Sequence, residues 1–520
     1  MTPPVEDKLV EPVREDQPTV ATRRPWLALA AVLAGSFLHL FDLMVVTVAT
    51  PSIRTDLDAS ASSAQWLLAG YALPFALLLV TSGRLGDAIG RRKMVLVGSL
   101  GFTVASVLCA LATDPGTLIA GRVLQGASAA AMSPQVLPII MLLFPAGKRV
   151  AALGAQAGVI AVATVSGPVL GGLLVQADIA DLGWRVIFLL NIPVGLFTIL
   201  AGWIWLPAND VLTKGTRARL DVGSILLASG GLLMLIFPLV QGGELDWPLW
   251  IFVPLALSVP VLYLLVRRQI QRQATGEFPL IAMSLFKVRA FVAGSVANFL
   301  VMGGVAAFFL VFVLHLQSGL GFSPSDIGLT VASFAVAAGV ASGASVPLAG
   351  KIGKPLVVSG GVLMAVGMGA LCAVLLAQGP ELSSGLTAAC LAVVGIGMGM
   401  LSPPLYNLTL TGVPAEDVGS ASGVFGTLAQ VGNAMGVAVV GAAFFGLLGR
   451  FDDRLGDCVG STPLTEGTDA VVGACGAQAT IPAQEGFTSA TAVTVAAQAV
   501  CYLVVAFILA RFLPSKAKQA

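Results

Sequence analysis

Gly83-Arg84-Leu85-Gly86-Asp87-Ala88-Ile89-Gly90-Arg91-Arg92-Lys93 is a dense basic block with one acid, set between two apolar runs. Each run is about twenty residues long, enough to cross a bilayer as a helix. Gly86 and Gly90 flank Asp87 at short spacing, which predicts a sharp turn in a positively charged loop. A loop of this kind between spans so apolar belongs at the cytoplasmic face of a membrane.

Composition points the same way. The chain has 520 residues, 57% hydrophobic and only 11% charged, with a mean hydropathy of +0.92, which excludes a soluble globular domain. A net charge of +1 carries no electrostatic signature of a nucleic-acid partner. Fourteen spans are predicted, at roughly 27–50, 64–82, 94–113, 117–144, 150–175, 185–206, 221–241, 248–266, 290–314, 326–349, 355–378, 384–410, 418–446 and 488–510. The alternate loops that this assignment puts inside hold most of the basic residues, from Arg23 and Arg24 through Arg91, Arg92 and Lys93 to Arg511 and Lys516. The outer segments hold Arg54, Arg185, Arg450 and Arg454. Both termini are therefore expected in the cytoplasm, in a multi-pass protein of the cell (plasma or inner) membrane.

The loop also has an echo. Leu85–Arg91 follows span two, and Leu348-Ala349-Gly350-Lys351-Ile352-Gly353-Lys354 follows span ten, with Gly350 in place of the acid. Two such loops eight spans apart predict an internal repeat of the kind secondary transporters use. The expected fold is an all-α polytopic membrane protein of two six-helix halves plus two inserted central helices. The expected divisions are a cytoplasmic tail at 1–25, a first bundle at 26–206 and a linker with two inserted helices at 207–289. A second bundle follows at 290–511, interrupted by a long outer loop at 447–487, and a tail at 512–520. Cys458 and Cys475 lie in that loop and are a possible disulfide, with two free thiols as the alternative.

Asp42 is the one Asp or Glu well inside any predicted span. An ionised carboxylate there is costly, and burial favours its protonated form, so it is a candidate proton carrier. The plainer reading is a permanent salt bridge that fixes helix packing. His39 lies three residues earlier on the same helical face. Arg122 is the one cation inside a span, and its depth differs from that of Asp42 by only about 6 Å, so contact between them is allowed. Span five holds Gly154, Gly158, Gly167, Pro168, Gly171 and Gly172, a smooth helix that the proline should kink and that suits a seam between moving bundles. Asn298, Tyr406, Asn407, Gln430 and Asn433 are candidate cavity residues, or else interhelical glue.

With these residues in view, the Gly83–Lys93 loop resembles the inner-loop signature of the major facilitator superfamily. Leu118–Gly126 is similar to the span-four motif of that family, whose arginine is linked to proton transfer. Gly154–Gly172 resembles its span-five antiporter motif, with Ala163 where a glycine is usual. Asp42–Pro51, Gln65-Trp66 and Trp184–Gly195 resemble the fourteen-span drug:proton antiporter branch. The resemblance implies a monomeric exporter in which Gly83, Asp87, Gly90 and Arg91 gate the inner side. Unlike some multidrug members, this chain has no further acid inside a span of its second half, which suits neutral, monocationic or amphipathic substrates.

The expected function is a proton-coupled antiporter that exports drugs or other amphipathic small molecules from the cytoplasm by alternating access. The alternative is a dedicated exporter of one endogenous product, such as an antibiotic, lipid or siderophore. A membrane-embedded enzyme or a sensor is a distant third, because His39 with Asp42 is the only candidate catalytic pair and no inner segment holds a soluble domain. No phosphate-binding loop or metal-ligand cluster is present, so no cofactor is expected. The expected partners are the lipid bilayer, a small substrate and protons.

Overall fold

The computed structural model describes residues 24–59, 61–207, 221–242, 245, 248–275, 277, 279–322, 324–414, 417–455 and 480–514. No β-strand occurs among the described residues. The first six long helices are α1 (Pro25–Asp56), α2 (Ala61–Ile89), α3 (Arg91–Ala110), α4 (Pro115–Leu143), α5 (Ala146–Ala177) and α6 (Arg185–Trp205). A pair follows, α7 (Val222–Gln241) and α8 (Phe252–Ala274). The last six are α9 (Arg289–Gly319), α10 (Pro324–Ile352), α11 (Lys354–Gln378), α12 (Ser384–Thr409), α13 (Val418–Leu455) and α14 (Thr480–Phe512). Among the described residues, thirteen of these are long and apolar enough to cross a membrane, and α5, at 32 residues, is the remaining long helix.

The first six helices pack on one another, chiefly α2 on α4, α3 on α4, and α1 on α5 and α6. The last six do likewise, with α12 against α10 and α11, α14 against α11, and α13 against α9. The two groups meet where α2 packs on α13 and α5 on α10. The central pair α7–α8 lies against this body mainly through α7, which touches α2 and α13. Val259 and Tyr263 of α8 stay 69% and 63% exposed, an apolar surface suited to lipid.

Two corners carry the internal repeat. A single residue, Gly90, separates α2 from α3, and a single residue, Gly353, separates α10 from α11. Their φ angles are +105° and +68°, a region that L side chains rarely enter. These glycines occupy the same place in the two copies of the sequence echo. That is the physical reason the echo keeps this glycine while its acid changes to Gly350.

The segment at 447–487, expected as a long outer loop, is helical at both of its ends. Helix α13 continues to Leu455, and α14 begins at Thr480. The extension has a core of its own, in which Phe444 and Leu448 of α13 bury against Val311, Ala483, Phe487 and Ala490. Cys458 and Cys475 lie outside the described residues. Helix α5 is continuous from Ala146 to Ala177 and runs through Pro168.

Candidate functional site

Asp42 sits at the meeting point of five helices. Its Oδ2 accepts a short hydrogen bond from Arg122 Nη1 of α4, which is also an ion pair. Its Oδ1 accepts from Gln125 Nε2 of α4 at 3.1 Å and from Asn191 Nδ2 of α6 at 2.7 Å. Gln125 is tied in turn to its neighbours, accepting from Arg122 Nη1 at 2.9 Å and donating to Ser106 Oγ of α3 at 2.9 Å. From α2, the Leu67 carbonyl accepts from Arg122 Nε at 3.0 Å, and the Tyr71 ring lies 4.4 Å from the guanidinium carbon. That stacking adds cation–π attraction in a desolvated place. Asp42, Arg122, Gln125 and Ser106 are all 0% exposed.

The local sequence explains why these groups converge. Gly121 and Gly126 bracket the Arg122–Gln125 face of α4. A methyl at Gly121 would lie 2.5 Å from Cys109 Sγ of α3, and one at Gly126 would strike the Tyr71 backbone of α2. Without side chains there, α4 settles against both neighbours, and Arg122 and Gln125, three apart, share one face toward α1. Asn191 is placed by a break in α6 at Leu190, where helical structure stops and restarts. Pro193 lacks the N–H that would bond to Leu189, so the interruption is built into the chain. Two polar atoms of the cluster, Arg122 Nη2 and Asn191 Oδ1, have no protein partner.

The structure thus brings Asp42 and Arg122 together and places His39 elsewhere. The Tyr71 hydroxyl donates to the His39 carbonyl at 3.3 Å and lies 3.5 Å from His39 Nδ1. The His39 ring stacks on Phe75. Gln125, Asn191 and Ser106 were not among the candidates read from sequence. The signal was present for two of them, since Gln125 is one helical turn from Arg122 and Asn191 is a lone amide in its span.

At the basic end of the bundle, Gly83 and Gly86 of the opening stretch each have a distinct neighbour. Gly83 abuts the Gly419 backbone of α13, and Gly86 makes room for the Gln135 side chain, which donates to the Ser82 carbonyl at 2.8 Å. The expected loop is helical up to Ile89, so Asp87 belongs to the last turn of α2 and accepts at 3.1 Å from Arg91, the first residue of α3. The ion pair that joins the two six-helix groups is made by residues that sequence reading did not single out, Arg84 Nη2 with Asp417 Oδ1 at 3.1 Å. A strap at 279–288 reinforces it. The Leu280 carbonyl accepts from Arg84 Nε (3.1 Å) and Ser420 Oγ (3.3 Å), while the Leu280 N–H donates to Gln269 of α8 at 2.7 Å.

The glycines of α5 divide into two sets. A methyl at Gly167 would be 2.5 Å from Met44 Cβ, and one at Gly171 would be 2.7 Å from Val45 Cγ2, both on α1 close to Asp42. Gly154 and Gly158 have nothing within 4 Å of that position, and Gly172 only reaches Val48 at 4.0 Å. The side chain of Pro168 is outside those described. In the second group, Asn298 donates to the Phe425 carbonyl at 3.3 Å, Tyr406 donates to Ser422 at 3.0 Å, and Asn433 donates to Gln430 at 3.4 Å. The Asn407 carbonyl accepts from Thr411 at 3.1 Å. Among the described residues, no group of three or more His, Cys, Asp or Glu is arranged to hold a metal ion.

A bilayer-spanning bundle of two packed six-helix groups, with a buried acid–arginine cluster in the first, has the architecture of a membrane carrier. Residues 32–437 match the Major Facilitator Superfamily, and the chain belongs to that family. It is a multi-pass transporter of the cell membrane, not an enzyme. It is 40% identical over 429 residues to the "Probable actinorhodin transporter" of Streptomyces coelicolor, covering 82% of this chain and 73% of that one. It is 32% identical over 447 residues to the "Tetracenomycin C resistance and export protein" of Streptomyces glaucescens, covering 83% and 78%. Among solved structures, the proton:xylose symporter XylE superposes with a TM-score of 0.57 at 16% identity, covering 95% of this chain and 97% of that one. At that identity the likeness concerns the fold alone.

Proposed function

We propose that this transporter is a proton-coupled antiporter that exports amphipathic small molecules, drugs among them, from the cytoplasm by alternating access. The observation that carries the reading is the fully buried Asp42 carboxylate held by Arg122, Gln125 and Asn191. An intramembrane acid on such a network is the group a proton can neutralise. With Asp42 charged, the Arg122 guanidinium is drawn to α1. A proton on Asp42 removes that attraction and frees Arg122 and Asn191, each of which already has one unpartnered polar atom, to take new partners. Because Gly167 and Gly171 press α5 against the same turn of α1, rearrangement at Asp42 would be felt on the helix that meets α10.

In this reading both termini and the basic loops face the cytoplasm, the protein works as a monomer, and the two halves are 26–206 and 290–511. The seam of Gly83 on Gly419, with the Arg84–Asp417 pair, holds the cytoplasmic side shut, so the described state faces outward. Asp87 and Arg91 support that latch from the α2–α3 corner rather than carrying protons.

A second reading, export of one dedicated product, is favoured by the relatives named for single compounds, including the "Puromycin resistance protein pur8" of Streptomyces alboniger at 34% identity over 428 residues. A "Multidrug resistance protein Stp" of Mycobacterium tuberculosis, 28% identical over 428 residues, supports the broader one. A resistance panel in a pump-deficient host separates them. Protection against many unrelated compounds supports the multidrug reading, and protection against one structural class supports the dedicated one. Collapse of the proton gradient should abolish either; export that survives it would sink the coupling.

A further inference from the structure

Helices α9 and α14 enclose polar groups that the mechanism above does not use. His315 lies in a single π-helical turn, His315–Gly319, at the end of α9, and such turns concentrate at functional positions. The residue is 0% exposed, and neither ring nitrogen has a protein group within hydrogen-bonding distance. Along the facing helix, Gln498 Oε1 and the Tyr502 hydroxyl are likewise buried without a partner.

These groups belong to one seam. A methyl at Gly304 would lie 2.8 Å from the Tyr502 hydroxyl, and one at Gly319 would lie 2.8 Å from Phe487 Cβ, which fixes α9 and α14 as antiparallel neighbours at both ends of this stretch. Between Phe487 and Tyr502, the same stripe of α14 carries Thr491, Thr494 and Gln498 at helical spacing. The register puts His315 level with Thr491. Both threonine hydroxyls donate back to their own helix, at 2.7 Å to Phe487 and 3.1 Å to Ala490, and a hydroxyl oxygen that donates can still accept. Successive polar positions are about 4.5–6 Å apart along the axis at 1.5 Å per residue, the separation one water molecule bridges. Buried groups of this kind in a membrane helix are costly unless something satisfies them, and buried water does so with two to four hydrogen bonds.

We propose that the α9–α14 seam is a second polar site, occupied by a file of water molecules that runs from His315 to Tyr502, with the His315 ring as its relay. A neutral imidazole donates through one nitrogen and accepts through the other, so it continues such a file without breaking it. The site is built from side chains remote in sequence from Asp42 and rests on none of the proton-coupling reading. It would open a wet path into the second six-helix group.

The chain has only two histidines, His39 and His315, which makes the test direct. In full-length protein labelled with 15N-histidine in lipid bilayers, water-edited solid-state NMR reads which ring contacts water. The H315Q variant assigns the two signals. The expected result is rapid magnetisation transfer from water to His315, reduced at least several-fold in a Thr491→Val, Gln498→Leu double variant whose His39 signal is unchanged. The unchanged His39 signal shows that the double variant has folded. A His315 ring as dry as a hydrocarbon-buried group overturns the site. Water contact that persists undiminished in the double variant overturns the continuous file.

Discussion

Gly83 of α2 and Gly419 of α13 meet backbone to backbone, and a methyl group on Gly83 would stand 2.5 Å from the Gly419 carbonyl oxygen. The contact extends along both helices, since a methyl on Gly423 would stand 2.9 Å from the Val80 Cα. Glycine at position 83, inside α2, is therefore a steric requirement of this contact. Replacing Gly83 with Val should oppose that contact by about 1–3 kcal/mol, the usual cost of overpacking, which is roughly five- to 150-fold in population. Electron–electron distance measurements between spin labels at the basic ends of α2 and α13 should gain a longer component. An unchanged distribution would mean that the seam is not the closing surface.

The two glycine sets of α5 should behave differently on substitution. Gly167→Ala and Gly171→Ala force α5 away from Met44 and Val45 of α1 and should lower thermal stability by about 1–3 kcal/mol. Gly154→Ala and Gly158→Ala meet open space and should be neutral or slightly stabilising, because alanine is the better helix former. Melting temperatures of the four purified variants in the same detergent decide the matter, and equal losses across the set would refute the division.

Asp221 anchors the start of α7. Burial alone would raise its carboxyl, but hydrogen bonds from Arg268 and from the Ser224 hydroxyl and N–H outweigh that effect and hold it well below the usual carboxylate range. A depressed folded-state value means that the stabilisation is complete above the unfolded value of about 3.9 and is lost as pH falls through the folded one. Asp221→Asn should cost about 1 kcal/mol at neutral pH, as a weakened helix cap does. The gap in melting temperature between the two proteins should narrow as pH drops from neutral toward 3; a gap that widens would reverse the assignment.

The strap links the inserted pair to the seam. Gln269 Oε1 accepts from the N–H groups of both Leu280 (2.7 Å) and Ile281 (3.3 Å), and its amide donates to Ser224 at 2.7 Å. Gln269→Leu strands those backbone donors and should cost about 1–3 kcal/mol. Hydrogen exchange should accelerate at Leu280 and Ile281, and protection equal to the parent would show that the glutamine is not their anchor.

The architecture was legible because two strong signals reinforce each other. Apolar runs of spanning length mark the helices, and the placement of Arg91, Arg92, Lys93 and the other cations orders the loops. The acid–arginine pair was readable too, since a charge inside a span is rare enough to name its partner by elimination. The rest of the site escaped because amides and hydroxyls in membrane helices are common. Gln125, Asn191 and Ser106 became distinct only once α3, α4 and α6 were seen to converge on Asp42. Arg84 with Asp417 was hidden for another reason. Loop charges are read for topology, and nothing local shows that two of them, 333 positions apart, will touch. His315 was passed over because its meaning depends on the absence of any protein partner. The helical ends of the 447–487 segment were not readable because they depend on Phe444 and Leu448 packing on α14, a contact distant in sequence.

In the proposed mechanism, protonation of Asp42 couples substrate movement to the proton gradient. Its most direct test is transport by Asp42→Asn in sealed proteoliposomes, with a substrate found in the resistance panel, comparing uptake driven by an imposed pH difference with exchange between equal substrate pools at uniform pH. Loss of the charge removes the Arg122 ion pair, and breaking a buried pair costs about 3–5 kcal/mol, so the purified variant is first shown to be folded and to bind the substrate. The account predicts that gradient-driven uptake disappears while exchange persists. Gradient-driven uptake at the parent rate in Asp42→Asn would contradict it.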